Sequence, residues 1–191
     1  MKNTLIICIL TITLKAYAQN SLPYNPGTSL ALVENPVKKE KNILSKPKGL
    51  TVREVKWSAL ENLLNSNTDT TYIVNFWATW CGPCVKELPY FEQLNRSFAG
   101  QKVKIVLVSM DFVQDKDKRV VPFVERMQLK NTVWLLNEPD ANSWIDRVDP
   151  SWSGALPATL ILNPTNKKRA FYEKSLNYET LAHALGYFVG Y

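Results

Sequence analysis

The stretch TYIVNFWATWCGPCVKELPYF, residues 71–91, narrows the possible folds more than any other part of the chain. Its first half is β-branched and aromatic, the composition of a buried strand. From Cys84 onward Leu88, Phe91, Leu94 and Phe98 recur at three- and four-residue steps, one apolar stripe of a helix that ends near Gly100. Cys81 and Cys84 therefore sit where a strand hands over to a helix. The flanking sequence continues the alternation. LTVREV alternates like a strand, and SALENLL reads as a short helix capped by Ser58. VKIVLVSMD from Val103 is apolar enough for a strand buried on both faces. Asp115 to Leu129 reads as a helix despite Pro122, NTVWLL as a strand, and Asp140 to Arg147 as a short helix. ATLILN, PTNKK and RAFYEK form a strand, a turn and a returning strand, and Asn177 caps a last helix with Leu181, Ala184, Leu185 and Phe188 on one side. Strands alternating with helices and closing in a hairpin imply an α/β sheet, mostly parallel, with an antiparallel edge.

The compartment decides what a bare cysteine pair means. Lys2 gives a basic start, Leu5 to Leu14 form a short apolar run, and Ala16-Tyr17-Ala18 fits a small-x-small cleavage site. The expectation is a secretory signal over residues 1–18, a linker or extension over 19–48, and one domain over 49–191. A run of ten residues, broken by Thr11 and Thr13, falls well short of the roughly 20 needed to span a bilayer. Cys8 lies inside the run and leaves with it, so the exported chain holds only Cys81 and Cys84. Residues 19–48 carry four prolines among polar and charged residues, with one apolar island, Leu30 to Val33, able to pair with a sheet edge. With 46% apolar residues and seven glycines, the composition is that of an ordinary globular protein. The formal charge of +6 is spread along the chain without a nucleic-acid-reading motif, so it reads as a solvated surface and excludes a nucleic-acid partner.

Three readings compete for the cysteine pair. Structural zinc needs about four ligands, and only His183 on the last helix joins the two sulfurs. A structural disulfide between residues three apart closes too short a loop to constrain the unfolded chain much. A redox pair fits the position. At the first turn of a helix Cys81 meets unpaired N–H groups and the positive end of the dipole, which favour thiolate, the attacking species. Cys84, one turn deeper, is placed to resolve a mixed disulfide. Gly82 and Pro83 shape the turn, and proline is tolerated there because the first turn has no N–H bond to lose. No metal or organic cofactor is required, because the two sulfurs carry both electrons.

VNFWATWCGPCVKELPYFEQL together with SGALPATLILNPTNK, in that order, resembles the thioredoxin superfamily, in particular its exported TlpA/ResA-like branch. The resemblance covers about residues 50 to 190. It implies a thioredoxin fold, a central mixed sheet flanked by helices in which a cis-proline loop faces the CxxC helix N-terminus. Pro157 matches that proline, and extended backbone at Leu156 could pair with a partner's strand. Where cytoplasmic relatives commonly keep a buried Asp as proton acceptor, this chain has Asn75, whose amide cannot take a proton. The ResA-like branch gives a comparable role to a glutamate three residues after the second cysteine, and Glu87 stands there. Two readings of Glu87 stay open, a tuner of Cys84 deprotonation and a solvated acid that favours the helix start. Trp77 is expected in the core. Trp80 is either surface packing or a partner contact. Pro89 should kink the helix, as a proline in the family does, and Lys86 faces solvent.

The implied activity is thiol:disulfide oxidoreduction, and the Gly-Pro pair resembles that of reducing thioredoxins, near about −270 mV against about −120 mV for a strong periplasmic oxidant. A periplasmic reductant of disulfide-bearing exported proteins, recharged by a membrane-bound electron donor, is the expectation. Two alternatives stay beside it: a thiol peroxidase, for which no Arg lies near the motif in sequence, and a binding module that grips cysteine-bearing partners without turnover.

Overall fold

The computed structural model describes residues 51–190. The expected signal over 1–18 and the whole of the expected extension over 19–48, with its Leu30–Val33 island, lie outside the described residues. Six strands and five helices follow in the order β1 (Arg53–Val55), α1 (Trp57–Leu64), β2 (Thr71–Trp77), α2 (Gly82–Ser97), β3 (Val103–Ser109), α3 (Val121–Arg126), β4 (Thr132–Leu136), α4 (Ile145–Val148), β5 (Ala158–Asn163), β6 (Lys168–Tyr172) and α5 (Tyr178–Val189). They form one sheet in the order β1-β4-β3-β2-β5-β6. β1, β4, β3 and β2 run parallel, β5 pairs antiparallel with β2, and β6 pairs antiparallel with β5. The expected mixed sheet with an antiparallel edge is what forms.

The side-chain period of two along β2 divides the core. Ile73 and Trp77 point to one face, where α2, α3 and α5 contribute Leu88, Phe91, Val124, Leu181 and Leu185. Val74 and Phe76 point to the other, packed with Trp57, Leu60, Trp144 and Trp152. Asn75 shares the parity of Ile73 and Trp77, so its amide faces α2 from inside the sheet.

Three local readings need correction. α1 begins at Trp57 with Lys56 as its N-cap and no side-chain cap, so Ser58 lies inside the first turn. The Trp57 N–H instead reaches the Glu138 carboxylate at 3.4 Å; a distant loop supplies what the local hydroxyl was expected to give. The segment from Asp115 is not one helix. A 3-10 turn at Val113–Asp115 passes into a π turn at Lys116–Val120, and only then comes α3. Pro122 has no N–H to give the carbonyl four residues back, and its ring would crowd that carbonyl in a regular helix, so the chain takes a wider turn before it. Asp140 to Arg147 divides likewise into a 3-10 turn at Ala141–Ser143 and α4. α2, by contrast, runs from Gly82 to Ser97 with Pro89 inside it. Buried Leu88, Phe91 and Leu94 hold its two halves on the same core. Asn177 caps α5 as expected, its Oδ1 accepting from the Thr180 N–H at 2.9 Å.

Candidate active site

β2 ends at Trp77, the chain turns through Ala78, Thr79 and Trp80, and α2 begins at Gly82 with Cys81 as its N-cap. Cys81 and Cys84 are joined as a disulfide, their Cα atoms 5.3 Å apart. Cys81 Sγ accepts a hydrogen bond from the Cys84 backbone N–H at 3.3 Å. One of the unpaired donors of the helix's first turn is thus aimed at that sulfur. Cys81 keeps 6% of its surface exposed and Cys84 none. An incoming disulfide can meet only the first. Gly82 and Pro83 are exposed between them, and Pro83 sits in the first turn of the helix.

Glu87 lies one turn beyond Cys84 on the same side of α2 and is fully buried. Burial excludes the solvated reading. One carboxylate oxygen accepts from Asn75 Nδ2 at 2.8 Å, the other from the Leu176 N–H at 2.8 Å. Loss of water pushes the Glu87 carboxyl above its ordinary value, against the opposing pull of the bonds from Leu176, Asn75 and Ser175. Asn75 Nδ2 also donates to Thr159 Oγ1 at 3.0 Å, while its Oδ1 has no partner among the described residues. Asn75 is therefore a donor that orients the carboxylate from β2.

The loop before Cys81 is held by a residue that sequence reasoning passed over. Asp111, buried at the end of β3, accepts from the Thr79 N–H at 2.9 Å, from Thr79 Oγ1 at 2.5 Å and from Ser109 Oγ at 2.8 Å. An acid directly after a doubly buried strand was its only local signal. Trp77 is core, as expected, against Phe123. Trp80 stands 62% exposed, and Phe112, next to Asp111, 75%.

The Leu156–Pro157 peptide bond is cis. β5 begins one residue later, with Ala158 opposite Phe76, so the antiparallel register carries Pro157 toward the end of β2 that leads to the cysteines. Leu156 packs against the core cluster containing both cysteines. His183 is exposed on α5, and among the described residues no group of three His, Cys, Asp or Glu could hold a metal ion. Arg119 and Arg126 line a groove shared with Trp80 and Gly82. The expectation that no arginine lies near the motif does not hold in three dimensions, because the π turn carries Arg119 and α3 carries Arg126 to this groove.

Comparisons with known proteins agree with this arrangement. The chain is 33% identical over 101 residues to thioredoxin of Haemophilus influenzae, covering 53% of this chain and 82% of that one. It is 34% identical over 94 residues to the thiol-disulfide oxidoreductase ResA of Bacillus subtilis, a match that spans about half of each chain, 49% and 48%. Among solved structures, a thioredoxin-related protein of Neisseria meningitidis superposes with a TM-score of 0.56 at 24% identity, covering 64% of this chain and 87% of that one. StoA of Bacillus subtilis gives 0.50 at 22%, covering 62% and 84%. These two support the thioredoxin fold. The model of the AhpC/TSA family matches residues 50–170, and the chain belongs to that family, within the thioredoxin superfamily.

Proposed function

We propose that this thioredoxin-like oxidoreductase reduces disulfides of other exported proteins through Cys81 and Cys84. In the reduced chain the Cys81 thiolate attacks one sulfur of the partner's disulfide. The partner's other sulfur leaves as a thiolate and takes up a proton. Cys84 then gives its proton to Glu87, and its thiolate attacks Cys81 Sγ. The partner's second sulfur departs with a proton, two electrons have moved to the partner, and the Cys81–Cys84 disulfide is formed. Pro157 aligns the partner, Gly82 and Pro83 keep the turn open, and a membrane-bound dithiol donor returns the two electrons. Export rests on Lys2, the run Leu5 to Leu14 and Ala16-Tyr17-Ala18. Among the described residues no helix is long and apolar enough to cross a membrane.

The observation that carries this reading is the asymmetry of the two sulfurs: one keeping a small edge of surface at a helix N-terminus with an N–H aimed at it, the other fully buried beneath. Replacing the second thiol separates turnover from binding. Cys84→Ser should accumulate a covalent partner on Cys81 that dithiothreitol releases, and the parent chain should reduce insulin catalytically. A chain that holds partners without a covalent adduct is the binding module instead. Arg119 and Arg126 beside Gly82 favour a second reading, peroxide reduction, since guanidinium groups can polarise a peroxide oxygen. Peroxide consumption faster than insulin reduction would select it. Direction is read from the Cys81–Cys84 potential: a value near about −270 mV marks a reductant, one near about −120 mV an oxidant.

A further inference from the structure

A groove of about 540 Å³ opens beside the disulfide, between the Thr79–Trp80 turn, the first turn of α2 and the segment that leads into α3. Its charged lining is one-sided. Lys86, Lys118, Arg119 and Arg126 line it, all exposed, and among the described residues no carboxylate does. Lys118 and Arg119 reach it from the π turn that Pro122 imposes, a geometry uncommon enough in helices to mark functional sites. The Arg126 guanidinium lies 5.2 Å over the Phe123 ring, a cation–π contact beside the groove wall. Arg119 forms a 3.9 Å ion pair with Asp115 in which the arginine is more than half exposed, a pairing worth little against water. Lys86 also lines the neighbouring hollow with Lys174, so positive charge flanks the start of α2 on both sides. The dipole of α2 adds the same sign at its N-terminus.

Aromatic surface accompanies the charge. Trp80 lines the groove, and Phe112 stands exposed on the adjoining loop. The Asp111 bonds to Thr79 tie the two loops together, so both rings are presented from fixed backbone. Rigid exposed aromatics rimmed by charge of one sign suit an extended protein segment that brings apolar contact and opposite charge.

We infer that this groove selects partner proteins whose reactive disulfide is flanked by acidic side chains, which deepens, and rests on, the oxidoreductase reading above. Acidic flanks would be drawn toward the start of α2 and lie along Lys118, Arg119 and Arg126 while Cys81 attacks the neighbouring sulfur. The gain lies in encounter and alignment, so it depends on ionic strength.

The test uses the reduced Cys84→Ser chain and three peptides that share one intrachain disulfide, with flanks of Asp and Glu, of Ser and Gln, or of Lys. Each rate of mixed-disulfide formation is divided by the rate of the same peptide with 2-mercaptoethanol, which removes differences in intrinsic reactivity. The acidic peptide should exceed the lysine peptide by about tenfold at low salt, and by less than about twofold at half-molar salt. Combining Arg119→Glu with Arg126→Glu should invert the order. Lys118→Glu, on the exposed turn, should narrow the gap and serves if the double variant misfolds. Equal normalised rates for the three peptides, or an order unmoved by the charge reversals, overturns the inference. The neutral bis(2-hydroxyethyl) disulfide separates the two levels: a Cys81 inert even toward it removes the oxidoreductase reading, and the groove's selectivity with it.

Discussion

At the scale of single residues, the proton transfer proposed for Glu87 is tied to its burial. Its carboxyl is pushed above its ordinary value chiefly by loss of water, so the folded chain takes up a proton that the unfolded chain has already released. Its contribution is fully present at low pH and is lost as pH rises through the folded-state value. Glu87→Gln should remove that dependence. The stability of the variant relative to the parent should rise from about pH 4 to about pH 8, as followed by urea midpoints. The same substitution should slow resolution of the mixed disulfide by about 10- to 100-fold and flatten its pH profile; a profile identical to the parent's leaves Glu87 structural. The introduced amide is tolerated because Asn75, rotated about its own amide, can turn its Oδ1 toward it. The cysteine pair was legible from spacing within one motif, and position 87 was singled out by the family resemblance. The use of Asn75 was not: its bond to Glu87 spans two elements, and an amide that cannot accept a proton gives no hint that it donates one hydrogen bond to hold a carboxylate.

At the scale of elements, the loop that presents Trp80 and Cys81 is fastened to the end of β3. Asp111→Ala strips Thr79 and Ser109 of their shared acceptor and leaves a half-buried N–H without that acceptor. A loss of about 2–4 kcal/mol of stability is expected, readable by urea unfolding, whereas Asp111→Asn should recover part of it. A change below about 0.5 kcal/mol would mean that the turn holds itself. Strands and long helices were legible because burial imposes period two or period 3.6 on their residues. Ends and irregular turns were not. Ser58 looked like a cap because the competing acceptor, Glu138, is distant in sequence. Asp115 to Leu129 looked helical because the apolar spacing survives a π turn; only Pro122 warned otherwise.

At the scale of the whole molecule, the fold explains why these pieces meet. β2 and β3 run parallel, so the Trp77–Cys81 turn and the Asp111–Phe112 loop leave the sheet at the same end. Antiparallel β5 enters at that end, which brings Leu156 and Pro157 beside them. α2, packed across the sheet through Leu88, Phe91 and Leu94, directs its N-terminus there while burying Cys84 and Glu87. Element order in the chain announced an α/β sheet, and the resemblance supplied the strand order, but the gathering of Lys118, Arg119 and Arg126 beside Gly82 follows from three-dimensional packing alone. The central claim is that this packing leaves one sulfur reactive and seals the other. Alkylation of the reduced chain by iodoacetamide at neutral pH, followed by peptide mass mapping, tests it most directly. Cys81 should be modified at least about tenfold faster than Cys84 and faster than a cysteine in a short unstructured peptide. Equal labelling of the two cysteines, or a Cys81 no faster than the free peptide, would contradict it.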